Sequence, residues 1–307
     1  MQSAYLRHHS TETALLHVQN VILLNMNKQL VTLLVMLDLS SAFDTIDHTV
    51  LLQRLDNKFG FRGTVFEWFR SYLSNRFQQV VIYVARSNKF DITCGVPQGS
   101  CLGPLLFSIY ASELFDVVSK HLPTAHCYAD DTQMYLAFRP DGRATQEFAV
   151  TAVEACVRDV RKWMTQDKLK LNDKKTEIMI IGTETQLKKV NITNLVIGEL
   201  AVAPSQNPIR NLGSWFDSNL KMDTQITKTC KAGFFYLHNL SRIRRHLDQE
   251  STEKLIHVFV TSRLDYCNSL LYGLPDCRLL KLQRVQNAAA RLVFQLCHIT
   301  PLLKTLI

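Results

Sequence analysis

The chain has no pair of cysteines at C-x2-C spacing. Its eight cysteines are scattered through 307 residues, which excludes the usual zinc-ribbon pattern and the dense disulfide framework of a small secreted domain. They read as reduced thiols in an intracellular protein. Long apolar runs are also lacking: the longest, LVTLLVML from Leu30 to Leu37, is too short to cross a bilayer, and the first residues carry no basic-then-apolar secretory pattern. No internal repeat, low-complexity tract or long linker interrupts the sequence. What is present is 47% apolar residues, enough for a sizeable core in one large domain or two ordinary ones. Lys and Arg number 35 against 27 Asp and Glu, which is compatible with a polyanionic partner such as nucleic acid without requiring one.

Periodicity divides the chain into elements. Ser10 is placed to cap a helix through TETALLHVQNVILLNMN, and the apolar run after it predicts a strand buried on both faces that ends at Asp38. Leu51, Leu52 and Leu55 at helical spacing, with Gly60 as a stop, predict a helix, and FEWFRSYLSNR predicts another. FQQVVIYVARSNKFDITCGV predicts a hairpin that turns around Ser87 and Asn88, and a helix begins near Gly103-Pro104. AHCYADDTQMYLAF, residues 125–138, predicts two short strands with Asp130 and Asp131 at the tip between them. Ala149, Val153, Cys156, Val157, Val160, Trp163 and Met164 mark an amphipathic helix. A basic loop and strand follow in KLKLNDKKTEIMIIG, then short strands in LVIGELAV and IRNLGSWFD; from about Lys221 onward the pattern turns helical. The expectation is an α+β body followed by a helical C-terminal module.

Two adjacent aspartates in a turn are ordinarily just solvated turn residues. A functional reading needs a third carboxylate, and Asp38 supplies a candidate at the end of a buried strand. If the two strands are neighbours, the carboxylates converge, and such charges repel and have raised pKa values unless a cation neutralises them. Hard oxygen ligands favour Mg²⁺. Two such ions roughly 3.5–4 Å apart stabilise the attacking and leaving oxygens of an in-line displacement at phosphorus, so the chemistry predicted is phosphoryl transfer.

The blocks LLVMLDLSSAFDTIDH, TCGVPQGSCLGPLLFSIY, HCYADDTQMY and KLKLNDKKTEIMIIG stand in the order and approximate spacing of the palm motifs A to D of reverse transcriptases. Together with QSAYLRHHSTETALL, NLGSWFDSNL and RLDYCNSLLYGLP, the chain resembles the reverse transcriptase domain of non-LTR, Jockey-like retrotransposons over nearly its whole length. The resemblance implies a polymerase palm, an antiparallel sheet with packed helices, with partial fingers and a helical thumb: residues 1–30 as a remnant of the fingers leading into the palm, 31–217 as the palm, and 218–307 as the thumb and the start of a C-terminal region. It implies Mg²⁺ ligands at Asp38, Asp130 and Asp131, with the Leu39 carbonyl as a further oxygen. Phe43 would be the steric gate against a ribose 2′-hydroxyl, or a core phenylalanine on the following turn. Gly95, Pro97, Gln98 and Gly99 would form the loop beside the incoming nucleotide, where glycine admits close backbone approach.

Lys175 matches the position that protonates the leaving pyrophosphate, with Lys174 as its competitor. Leu212 and Gly213 resemble the primer grip. Lys221, Lys228, Lys231, Arg242, Arg244 and Arg245 would contact the phosphates of a template–primer duplex, or form an ordinary solvated helix face. The implied partners are an RNA template, a DNA primer and deoxynucleoside triphosphates, with two Mg²⁺ ions (Mn²⁺ as substitute), no membrane, and nucleus and cytoplasm as the compartments.

The sequence departs from the family at several points. Arg7 and Lys28 are the only Lys or Arg residues before Asp38; Leu6 stands where an arginine is expected, Ser214 and Trp215 replace an apolar pair, and the chain stops at HITPLLKTLI. The expectation is an element copy truncated at both ends, or a fragmentary gene model, without an endonuclease module. Two readings follow from it: an RNA-directed DNA polymerase, or an inactive nucleic-acid-binding remnant. A nuclease would leave the gate and grip positions without purpose, and Phe43 and ADD disfavour an RNA-templated RNA polymerase.

Overall fold

The computed structural model describes residues 2–40, 42–97 and 99–296; Gln98 and the C-terminal HITPLLKTLI lie outside them. Helix α1 (Thr11–Asn27) starts at Ser10, whose hydroxyl accepts the Thr13 N–H while Thr13 Oγ1 accepts the Ser10 N–H. The two bonds satisfy donors that a helix start otherwise leaves orphaned. The apolar run becomes β1 (Val31–Leu37), buried at every position but Met36. Helices α2 (His48–Asn57) and α3 (Gly63–Leu73) follow, then the two-residue strands β2 (Phe77–Gln78), β3 (Val81–Ile82), β4 (Ala85–Arg86) and β5 (Phe90–Asp91). Next come α4 (Gly103–Tyr110), α5 (Leu114–Val118), β6 (Thr124–Tyr128), β7 (Asp131–Phe138), α6 (Arg143–Gln166), β8 (Glu177–Ile181) and α7 (Glu184–Leu187). Two hairpins, β9 (Leu195–Ile197) with β10 (Leu200–Val202) and β11 (Ile209–Asn211) with β12 (Ser214–Phe216), precede α8 (Asp223–Ile243), α9 (Gln249–Ile256), α10 (Ser262–Asp265) and α11 (Asp276–Phe294).

The fold is α+β, built on an antiparallel sheet in the order β6-β7-β1-β8. Alternation along β1 sends Leu33, Val35 and Leu37 into one core with Met134, Leu51, Leu55, Phe107, Tyr110, Val153 and Val160, which belong to β7, α2, α4 and α6. Leu34 points the other way and shares a second core with Tyr135 and Met179, with Leu15, Val18 and Ile22 of α1, and with Phe216, Ile226, Leu264 and Val285. Both faces of β1 are therefore covered, as its unbroken apolar run predicts. The second core also binds the C-terminal helices to α1 and the sheet, so residues after 217 share a core with those before it.

Buried Arg54 centres an ion cluster that meets the first core at Tyr110. Arg54 is paired with Asp167 and Glu113, its guanidinium carbon lies 4.8 Å from the Tyr110 ring centroid, and burial pushes the Tyr110 hydroxyl up to about 12. That hydroxyl accepts the Asp47 N–H and donates to the Asp167 carbonyl, which fixes the loop after β1 to the end of α6.

The hairpin at residues 77–91 turns elsewhere than Ser87–Asn88. Ser87 instead pairs across the ladder: its N–H donates to the Val80 carbonyl and its hydroxyl accepts the Val80 N–H. The turn falls at Tyr83-Val84, between the paired Ile82 and Ala85, with Tyr83 at φ 52°. Val80 to Val84 are all exposed, Tyr83 and Val84 almost completely. Because Ile82 is mostly and Val84 almost fully exposed, replacing both by Thr should leave the melting temperature within about a degree while raising the soluble yield. A substantial drop in melting temperature would contradict this placement of the hairpin.

Candidate active site

β1 and β7 are neighbours, which the convergence of Asp38 with the Asp130-Asp131 pair requires. Their antiparallel register runs from Val31 opposite Phe138 to Leu37 opposite Thr132, so the next step sets Asp38 against Asp131. Leu39 continues the chain in an isolated antiparallel bridge to Leu171, flanked by the Asn172 N–H bonded to the Asp38 carbonyl and the Ser40 N–H bonded to the Lys170 carbonyl, both 2.8 Å. The loop at residues 170–175 is thereby stitched onto the end of β1. It delivers Lys175, whose Nζ lies 3.4 Å from Asp38 Oδ2.

Asp130 sits with Ala129 in the two-residue turn between the paired Tyr128 and Asp131. Ala129 has φ 57°, a left-handed conformation that costs an alanine about 1 kcal/mol or more. Gln2 clamps it: Gln2 Oε1 accepts the Ala129 N–H at 3.0 Å, and Gln2 Nε2 donates to the Ala129 carbonyl at 3.2 Å. Residues 2 and 3 extend this hold along β6, where Ser3 N–H donates to the Cys127 carbonyl and Ser3 Oγ lies 3.0 Å from the buried His126 Nε2. Gln2 was not among the residues expected at the site; its partner lies 127 positions away.

Asp38, Asp131, Lys174, Lys175, Glu177, Arg210 and Leu212 line one open cavity of about 380 Å³. Asp130 stands beside it, in the turn. The Asp131 carboxyl is pushed up to about 6, first by loss of surrounding water, then by the charges of Asp130 and Asp38, against a smaller lowering by Lys175. The residue as a whole is nonetheless exposed. Asp38 Oδ2 is buried and makes no hydrogen bond; its charge is met by Lys175 Nζ at 3.4 Å. Among the described residues no group of three or more His, Cys, Asp or Glu side chains is placed to hold a metal ion as it stands. The donors nevertheless fit a hard cation: acidic oxygens, one of them buried without a hydrogen bond, and a carboxyl whose ionisation its neighbours oppose.

The loop after β1 and the GVPQGS segment are packed together. The Gly95 N–H donates to the Ile46 carbonyl, the Val96 N–H donates to the Phe43 carbonyl, and His48 Nε2 lies 2.8 Å from the Gly95 carbonyl oxygen. Gly95 has φ 84°, and a Cβ there would meet the Asp44 carbonyl oxygen at 2.8 Å, so the close approach requires glycine. Phe43 is half-buried, its ring 4.9 Å from Phe107; it packs on the core with part of its surface left open. Pro97 is half-buried, and Gly99 is exposed at φ 77°.

Leu212 and Gly213 form the two-residue turn of the β11–β12 hairpin, at φ 43° and 89°, the pair of positive values that a tight hairpin of primed type needs. Tyr266 buttresses this turn. Its hydroxyl donates to the Leu212 carbonyl at 2.6 Å, and a Cβ on Gly213 would lie 2.9 Å from that hydroxyl oxygen of Tyr266. On α8, Lys228, Lys231 and Arg242 fall on one exposed face together with Phe235, opposite the buried Ile226, Gly233, Leu237 and Leu240. Lys228 Nζ lies 5.2 Å from the Trp215 ring centroid. Lys221 pairs with Glu184, and Arg245 Nε donates to His246. Arg244 corrects the expectation of a phosphate contact: its guanidinium donates to the carbonyls of Leu292, Val293 and Leu247, capping the end of α11, where unpaired carbonyls attract a cation.

Residues 1–216 match the family model described as reverse transcriptase (RNA-dependent DNA polymerase). The probable RNA-directed DNA polymerases of two Drosophila melanogaster transposons, BS and X-element, are 24% and 26% identical to the chain, each over 84% of it and 28% of their own length. The RNA-directed DNA polymerase of the Drosophila melanogaster mobile element jockey is 32% identical over 40% of the chain and 14% of its own length. The chain thus spans little more than a quarter of the first two relatives. Among solved structures, a Candida albicans telomerase aligns over 94% of the chain and 48% of its own, at 14% identity and a TM-score of 0.46.

Because the Asp131 carboxyl titrates higher in the folded protein than the ordinary 3.8, its contribution to stability is present below about pH 4 and lost as pH rises through about 6. Asp131→Asn mimics the protonated form. In a chelating buffer the variant should melt above the wild type at about pH 7.5 and level with it at about pH 4. A variant that melts lower at about pH 7.5 would show that the carboxylate is not opposed by its neighbours.

Proposed function

The chain belongs to the reverse transcriptase family, and from that membership we propose that it carries the palm and primer-binding part of an RNA-directed DNA polymerase. It would extend a DNA primer on an RNA template by attack of the primer 3′-hydroxyl on a deoxynucleoside triphosphate, with release of pyrophosphate. The observation that carries the reading is the β1–β7 register, which opposes Asp38 to Asp131 at the mouth of a cavity shared with Lys175 and Leu212.

Members of this family generally work with divalent cations. Asp38, Asp131 and the adjacent Asp130 are the residues that would hold two Mg²⁺ ions here, with the Leu39 carbonyl as a further oxygen. Bound there, the metal supplies charge stabilisation for the attacking and leaving oxygens. The protein's own groups do the rest. Lys175 Nζ, now on Asp38, would be released by the cation and give a proton to the departing pyrophosphate oxygen, with Lys174 beside it in the same cavity. Phe43 would exclude a 2′-hydroxyl with the open part of its ring. Gly95, Pro97, Gln98 and Gly99 would let the backbone approach the nucleotide. The Leu212-Gly213 turn would hold the primer end, and the α8 face of Lys228, Lys231 and Arg242, with Phe235 among them, would follow the phosphates of the hybrid.

A second reading, an inactive remnant that still binds nucleic acid, is favoured by the Lys175–Asp38 ion pair and by the lack, among the described residues, of three or more His, Cys, Asp or Glu side chains placed to hold a metal ion as they stand. Primer extension on an RNA template with Mg²⁺ and deoxynucleotides separates the two. The polymerase reading predicts extension that falls to background in Asp38→Ala and Asp130→Ala, and about tenfold or more ribonucleotide incorporation in Phe43→Ala. Wild-type protein that binds the hybrid with a steep salt dependence yet extends nothing would establish the remnant.

A further inference from the structure

Gln133 and Asn211 exchange two amide hydrogen bonds. Gln133 Nε2 donates to Asn211 Oδ1 at 2.8 Å, and Asn211 Nδ2 donates to Gln133 Oε1 at 2.9 Å. The two side chains are 1% and 2% exposed, although they lie 78 positions apart in the chain. Each stands beside a part of the candidate site. Gln133 follows Asp131 by two residues on β7 and so shares its face of the sheet, while Asn211 immediately precedes the Leu212-Gly213 turn.

An apolar pair of similar volume would fill the same space with no amide to satisfy. What the reciprocal pair adds is directional: both bonds form only at one separation and one mutual orientation of β7 and β11, and any other leaves buried donors and acceptors unpaired. The turn is held on its other side by the Tyr266 hydroxyl on the Leu212 carbonyl. Leu212 and Gly213 are therefore clamped between two polar anchors, one of which is rooted in the strand that carries Asp131. All four groups, Asp38, Asp131, the amide pair and Leu212, border the same cavity.

We propose that Gln133 and Asn211 are positioning residues that set the span between the Asp38–Asp131 carboxylates and the Leu212-Gly213 turn, and thereby place a primer 3′-hydroxyl held on that turn in line with the nucleotide's α-phosphorus. This rests on the polymerase reading for its consequence and on the amide pair alone for its geometry. In-line displacement is sensitive to placement, and an error of about 1 Å costs on the order of a hundredfold in rate.

The test uses substitutions that keep amides in place. Gln133→Asn shortens one arm by a methylene, Asn211→Gln lengthens the other, and the double variant restores the summed length. Two quantities are read: amide hydrogen exchange in the free protein at Ser214, whose pairing with Asn211 closes the turn, and kcat with separate KM values for deoxynucleotide and primer–template. Gln133→Asn should speed exchange at the turn by about tenfold or more and lower kcat by about tenfold or more, with the deoxynucleotide KM within about threefold, and the double variant should recover both. Unchanged exchange at the turn in Gln133→Asn overturns the proposal whatever the catalytic result. So does a double variant that recovers exchange but not kcat. If the wild type extends no primer, the polymerase reading fails and the proposed consequence with it, and the exchange measurement still decides whether the pair holds the turn.

Discussion

Everything at the candidate site depends on the pairing of β1 with β7. Asp38 and Asp131 are brought together by neither a loop nor a ligand; they stand one step beyond the ladder that ends with Leu37 opposite Thr132. In an antiparallel sheet a slip of one residue turns every side chain to the opposite face, so such a slip would separate the two carboxylates. The apolar side chains of β1 alone do little to forbid it, because Leu33 and Leu34 are both fully buried, in different cores, and inversion would still find apolar surroundings. Polar groups discriminate more sharply. Gln133 has its amide partner on one face only, Asn25 Nδ2 reaches the Thr32 hydroxyl, and an unpaired buried amide costs about 1–3 kcal/mol.

That pairing has an electrostatic consequence. Asp131 resists ionisation, and the buried Oδ2 of Asp38 makes no hydrogen bond and is compensated by the Lys175 ammonium 3.4 Å away. Nearby structure holds these charges in place. Gln2 clamps the left-handed Ala129 in the turn that bears Asp130, and the motif D loop is bonded to the end of β1 at Asp38 and Ser40. A rigid frame around mutually repelling carboxylates is what a cation-dependent site requires, because the cation then meets oxygens already brought together.

Much of this is legible in the sequence where the signal is local. The unbroken apolar run of β1, the cap at Ser10 and the amphipathic α6 are patterns within a few turns or rungs of chain, and each forms as expected; the DD hairpin forms too, but its turn is Ala129-Asp130, one residue earlier than the expected Asp130-Asp131 tip, with Asp131 paired to Tyr128. The hairpin turn at Tyr83-Val84 is not legible in that way, since VVIYVA is β-favouring throughout and Ser87-Asn88 carries the stronger turn chemistry. The pairings of Gln2 with Ala129, Gln133 with Asn211 and Tyr266 with Leu212 span 127, 78 and 54 positions, and an amide or hydroxyl has no sequence signature of its distant partner. Arg244 shows the same limit for charge: in the sequence it belongs to a basic cluster, but in the fold it is consumed by the carbonyls ending α11.

Binding of Mn²⁺, followed by the loss of its free-ion electron paramagnetic resonance signal, tests the central claim most directly. If the β1–β7 register builds a cation site, the wild type binds Mn²⁺, Asp38→Asn and Asp131→Asn each lose that binding, and Asp173→Asn, whose carboxylate is paired with Arg161, keeps it. Undiminished binding in Asp38→Asn would contradict the account.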